Sequence, residues 1–353
     1  MSNDAETIRR LFARYDPAAD VTDDARKYPA SPEQITARWP AGPAWERRAP
    51  GVSRRRLLAG GVTSVTAAAA VLAAVMVSRD PAAPAMHGLA ATPRLLSFQE
   101  GSQVVSAREV LEKAASSAQR QPDRAGAGRY QYVETRGWYL NTAISARAAR
   151  SAVIPVIRRQ WIAADGSGRI ITRPGSPWFP SAESRRAWHE AGDARPRPAD
   201  QTYGPGGLSF MWRPGSLSSD PAVLRRQLAE GHPASLGPAE TLVAVGDLYG
   251  EQPVDPAIRA AVLRVIAALP GLRYDGTATD RAGRTGIGVS VESDLSGLPT
   301  RYIMIFSPGT GQLLDSEQVL TTSAGKLGVP IPSVIAYTIY LSSGRTHTLQ
   351  PSS

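Results

Sequence analysis

The spacing of apolar residues changes several times along this chain, and each change predicts an element. From Leu57 to Val77 there are 21 residues without a charge. As a helix they extend about 31 Å, close to the hydrocarbon thickness of a bilayer. A helix buried in a soluble protein rarely stays uncharged on every face for so long. Before this run, Ile8, Leu11, Phe12 and Tyr15 share one face of a short amphipathic helix. Prolines at 17, 29, 32, 40, 43 and 50 then break any longer regular element. After it, Pro81, Pro84 and Pro93 mark a linker that runs to residue 101.

The outer part reads in three blocks. Ser106-Ala107-Arg108-Glu109 is a capping box, and Val110, Leu111, Ala114, Ala115 and Ala118 form the apolar face of a helix to about Gln119. Strand formers fill 130–140, and 152–173 predicts two strands about a turn at Asp165-Gly166-Ser167-Gly168. Residues 174–220, rich in Pro, Gly, Ser and Trp, read as a long surface excursion. Three helices follow, each opened by a proline: Pro221 to about Glu230, Pro238 to about Tyr249, and Pro256 to Pro270-Gly271. The rest is a meander of strands at 272–279, 285–292, 301–306, 313–320 and 334–341, with 346–349 as a candidate sixth. The fold class is therefore α+β: one N-terminal transmembrane helix, then an antiparallel sheet with helices packed on a face. The predicted organisation is a largely disordered cytoplasmic tail at 1–56, the transmembrane helix at 57–78, the linker at 79–101 and an extracytoplasmic domain at 102–353.

Charge sets the orientation. Arg54, Arg55 and Arg56 abut the apolar run, and Arg38, Arg47 and Arg48 lie just before them, whereas only Arg79 and Arg94 lie close on the far side. The positive-inside rule puts the tail in the cytoplasm and the large domain outside, as a single-pass protein of the cell membrane. A cleaved export signal is the competing reading, since Ser53-Arg54-Arg55-Arg56-Leu57-Leu58 is similar to a twin-arginine motif. The long leader and the 21-residue apolar run favour a retained anchor. Of the 40 basic residues only Lys27, Lys113 and Lys326 are lysine, and the charge is spread thinly along the chain. A nucleic-acid binder concentrates basic residues in a stripe with aromatics between them, so no nucleic-acid partner is expected. The absence of cysteine excludes disulfides, thiolate metal sites and cysteine nucleophiles.

No catalytic motif emerges. His87, His189, His232 and His347 are far apart in sequence and read as surface or loop residues. No Gly-x-Ser-x-Gly elbow, dinucleotide fingerprint or phosphate loop is complete, so no catalytic, cofactor or metal residue is assigned and no cofactor is expected. The tryptophans are the more informative residues. Trp138 and Trp161 lie on predicted strands and suit a core, while Trp178 and Trp212 fall in the 174–220 excursion and are candidates for contact with a ligand or partner.

Several motifs occur together: Tyr130-Gln131-Tyr132-Val133 with Trp138, Gln160-Trp161 before Asp165–Arg169, Asp220–Arg226, Ala260–Arg273, Asp280–Arg284 and Phe306–Gly311. Their arrangement resembles an uncharacterised actinobacterial family of single-pass membrane proteins, often encoded beside extracytoplasmic-function sigma factors. The resemblance covers nearly the whole chain past the apolar run and implies a role linked to signalling. The tail departs from zinc-binding anti-sigma factors in having neither His nor Cys. A curved sheet with helices on its concave side also resembles the half-barrel of bacterial lipoprotein carriers, which implies room for an acyl chain. The expected function is a membrane-anchored extracytoplasmic binding or sensor protein without catalytic activity, touching the lipid bilayer and binding an acyl or lipid ligand or a protein partner. An extracytoplasmic envelope hydrolase and a transmembrane scaffold joining protein partners are the alternatives.

Overall fold

The computed structural model describes residues 92–99, 105–122, 126–144, 149–179, 181–190, 197–325, 327 and 329–350. The predicted tail and transmembrane helix, with Arg54, Arg55 and Arg56, lie outside them. Among the described residues no helix is long and apolar enough to cross a membrane.

The chain builds β1 (Phe98–Gln99), α1 (Ala107–Gln119), β2 (Tyr130–Ile144), β3 (Ala149–Ala163), β4 (Gly168–Pro174), α2 (Ala182–Glu190) and β5 (Ala199–Tyr203). It continues with α3 (Pro221–Ala229), a 3₁₀ turn at Ala234–Leu236, α4 (Pro238–Glu251) and α5 (Pro256–Ala267). It ends with β6 (Arg273–Thr279), β7 (Thr285–Ser293), β8 (Thr300–Phe306), β9 (Leu313–Leu320) and β10 (Ser333–Thr346). The fold of the described residues is thus α+β, and their ten strands join one sheet in the order β1-β6-β7-β8-β9-β10-β2-β3-β4-β5. Neighbouring strands are antiparallel throughout.

The helix starts follow their local chemistry. The Ser106 hydroxyl accepts from the Glu109 amide at 3.2 Å, and Asp220 Oδ1 accepts from the amides of Ala222 and Val223 at 2.7 and 3.0 Å. Each bond satisfies an N–H that has no partner within the helix.

Three boundaries differ from the sequence expectation. The sheet begins inside the stretch read as linker, because Phe98 and Gln99 pair with Ala278 and Thr277 of β6. The Phe98 ring rests on Gly288, where a side chain would collide with it. The excursion at 174–220 contains α2 and β5. Only Ser184 and Trp188 of α2 are buried, and all of β5 except Tyr203 is exposed. Neither element therefore carries a periodic apolar signal. Finally, the predicted strand at 334–341 is part of the longer β10, which ends at Thr346, so the candidate sixth strand at 346–349 does not form. The register of β10 against β2 shifts between Tyr340 and Ser342.

The two faces of the sheet bury different partners. Ile287, Val289, Val291, Tyr302, Met304 and Phe306 face Leu111 of α1, Leu242 and Leu248 of α4, and Leu263 and Ile266 of α5. On the opposite face Trp138, Ile303, Val319, Tyr337 and Ile339 are covered in part by Leu327 and Val329 from the β9–β10 connection. The helices sit close to the strands at two glycines. The Tyr340 hydroxyl on β10 donates to the Gly246 carbonyl of α4 at 3.1 Å. At Gly311, with φ +65°, an added Cβ would stand 2.7 Å from Ala118 Cβ and 2.9 Å from Leu263 Cδ1. Gly311→Ala therefore combines backbone strain with overpacking, and is expected to cost about 2 kcal/mol in urea unfolding. A wild-type midpoint in the variant would refute this account of the helix docking.

Candidate functional site

In the stretch VIRRQW at 156–161, two arginines are adjacent on one strand. Successive side chains on a strand point to opposite faces, so one arginine must face the helices. Arg159 takes the opposite face and pairs with Glu134 at 3.1 Å. Arg158 takes the helix-covered face, with Thr135 and Thr172 as its cross-strand neighbours.

The half-buried Arg158 is held in a relay. Its Nε and Nη2 donate to Gln160 Oε1 at 3.1 and 3.0 Å. Gln160 Nε2 donates in turn to the Gly250 and Glu251 carbonyls at the end of α4, at 2.9 and 2.7 Å. Among the described residues no carboxylate forms an ion pair with Arg158. Burial presses its pKa down, and Tyr139, Tyr203 and Glu251 act in the other direction. The Tyr139 ring lies over Gly137, and its hydroxyl shares a hydrogen bond with Thr338 Oγ1 at 3.0 Å. Burial raises the Tyr139 pKa, so this phenol is a neutral donor.

A second polar group joins α4 to the loops on either side of α3. His232, only 9% exposed, lies between two carboxylates, with Nδ1 2.7 Å from Glu240 Oε1 and Nε2 3.3 Å from Asp247 Oδ2. Burial alone would lower its pKa. The hydrogen bonds and charges of Asp247 and Glu240 outweigh burial and raise it to about 9. Trp212 stacks on this ring at 5.7 Å. Beyond it, Glu251 accepts from the Met211 amide at 2.7 Å. Burial, opposed by the amides of Met211 and Trp212, raises the Glu251 pKa to about 7. His232 was expected as a surface or loop residue; it lies in the loop between α3 and α4 but is buried. Its burial follows from the two acids on α4 that neutralise it, and no local sequence pattern announces that pairing. As an imidazolium it has no lone pair, so it cannot act as a general base.

The candidate tryptophans separate. Trp212 is 3% exposed, and its Nε1 donates to the Gln227 carbonyl at 2.9 Å. Trp178 is 44% exposed and lies on the far face of the sheet, edge-on to Trp138 at 6.0 Å. From there a row of contacts continues inward. Trp138 stacks on Tyr337 at 5.9 Å, and the Arg281 guanidinium stands 4.4 Å from the Tyr337 ring centroid. Arg281 donates to Glu317 at 2.7 and 3.1 Å and to the Arg94 carbonyl at 2.9 Å. Beside Glu317, Asp315 is fully buried, and neither of its oxygens has a hydrogen-bond partner among the described residues. Burial, reinforced by the Glu317 charge, pushes its pKa well above the usual carboxylate range. Among the described residues no group of three or more His, Asp or Glu side chains is placed to hold a metal ion.

Both titrating groups near α4 predict a fall in stability as pH rises. A raised pKa means that the folded state holds the proton more tightly than the unfolded state, so stability is present below the unfolded pKa and is lost as pH climbs through the folded one. For Glu251 the window runs from the ordinary 4.5 to about 7, and for His232 from 6.5 to about 9. Urea midpoints measured from pH 5 to 9 should fall, with Glu251→Gln flattening the acidic part of the slope and His232→Gln the basic part. A rise across this range in the wild type would contradict the pairing of His232 with Glu240 and Asp247 and the burial of Glu251.

No family model matches the chain, and no curated protein does. Among solved structures, the crystal structure of LolA superfamily protein NE2245 from Nitrosomonas europaea is matched over 69% of this chain and 96% of its own, at 14% identity and a TM-score of 0.14. That likeness is too slight to carry an argument about fold or ligand.

Proposed function

We propose that the chain is a membrane-anchored extracytoplasmic binding protein of the sensor type, without catalytic activity. The observation that carries this reading is the chemistry of the helix-covered face. Arg158, Tyr139 and Thr338 place donors there, while His232 is committed as a cation between Glu240 and Asp247. These donors support a binding role, and the one buried imidazole described, held as a cation, is not available as a general base. The uncharged run at 57–77 behind Arg54, Arg55 and Arg56 supports the anchor and its orientation. The resemblance to a family encoded beside sigma factors supports a place in envelope signalling. The ligand we propose is an acyl or lipid molecule, and the dispersed charge argues against nucleic acid.

Two measurements test the reading. The chain has no cysteine, so single substitutions report topology without background. A membrane-impermeant maleimide on intact cells should label Ser219→Cys, which is exposed, and should reach Ser2→Cys only after permeabilisation. Labelling in the reverse order would end the anchor model. Solvent extraction of the purified full chain should release a bound organic molecule visible by mass spectrometry, and a clean extract would remove the binding reading.

A further inference from the structure

We infer that Arg158 anchors the oxyanion of a ligand, a carboxylate or a phosphate, laid against the helix-covered face of the sheet beside α4. This rests on the binding reading above and names the chemistry of its ligand.

The case begins with partners. On the strands Arg159 pairs with Glu134, Arg169 with Asp200 and Arg301 with Asp275, and in the β6–β7 turn Arg281 pairs with Glu317 and Arg284 with Asp280. Arg158, in the middle of β3, has none among the described residues. A guanidinium has five N–H donors, and only two are used here, both on Gln160. The nearby acids are committed elsewhere. Asp247 faces His232 at 3.3 Å, and Glu251 accepts from the Met211 amide at 2.7 Å. The carbonyls at the end of α4, reached through Gln160, offset part of the charge with their negative dipole. They leave a cation able to take one further negative group.

The neighbourhood is built for such a group. Gln160 is fixed at both ends, so the guanidinium plane is held before any ligand arrives. A pre-oriented fork matches the two oxygens of a carboxylate or phosphate. Tyr139 and Thr338 share one hydrogen bond between two hydroxyls, which leaves one hydroxyl hydrogen free to donate. Toward the sheet edge, Tyr203 and Gln201 lie on the same face, joined by a hydrogen bond of 2.8 Å, and Gln201 is exposed. The far side of Arg158 therefore leads to open sheet surface.

The test uses the full chain in mild detergent, titrated at constant ionic strength with inorganic phosphate, acetate and octanoate, with thermal unfolding as readout. At least one of these anions should raise the midpoint of the wild type. Arg158→Gln should weaken that anion at least tenfold, and Arg158→Lys, which keeps the charge but not the fork, by less. Arg159→Gln, one residue away on the opposite face, should leave it unchanged. Octanoate binding more tightly than acetate assigns the anion to a chain-bearing lipid, and phosphate binding most tightly assigns it to a phosphate group. No response in the wild type, a response that survives Arg158→Gln, or an equal loss in Arg159→Gln would overturn the assignment. Near-UV circular dichroism checks that each variant is folded, and Arg158→Lys carries the comparison if Arg158→Gln is not. Such a failure leaves the binding reading standing, because that reading falls only with a clean extract or reversed labelling.

Discussion

The pairing of β2 with β10 is the contact on which the rest of the molecule depends. It joins the first long strand to the last across about two hundred residues, with cross-strand partners from Tyr139–Ala336 to Tyr130–Thr346. On one side of this seam lies the wing β3-β4-β5, and on the other the meander β6 to β9. Tyr139 meets Thr338 and Thr135 meets Tyr340 at this seam. The polar row beneath α4 therefore exists only because the two halves are zipped together. Closing so long a loop costs entropy before any contact repays it, so the zipper must be supported by apolar burial on both faces. Trp138 and Tyr337 supply it on one face, and Tyr340 against Tyr249 and Gly246 supplies it on the other.

Much of this layout was legible in the sequence because local chemistry specified it. Ser106, Asp220 and the prolines at 221, 238 and 256 mark the helix starts. The turns at 280–283 and 307–311 separate strands of one meander. What local chemistry does not encode was missed. The helix α2 buries little of its surface and β5 almost none, so neither produces a period. The edge strand at Phe98–Gln99 is defined by a partner some 180 residues away.

The site was less legible than the fold, for the same reason. Trp178 and Trp212 share a composition signal, yet one ends an exposed aromatic row and the other closes over a buried histidine. Arg158 did leave a trace, since two consecutive arginines on a strand cannot both point to water when one face carries helices. His232 left none, because Glu240 and Asp247 become its partners only when α4 packs beside the preceding loop.

The position of β10, after every other described strand in chain order but between β9 and β2 in the sheet, also has a consequence for biogenesis. Until residue 346 has been made and delivered, the wing and the meander are separate half-sheets, each with a long bare edge at β2 or β9. Such edges template pairing with other chains. A stop codon before residue 333 would therefore yield a sticky fragment rather than a smaller folded protein. The growing chain needs either rapid delivery of β10 or a chaperone over those two edges until that strand is in place.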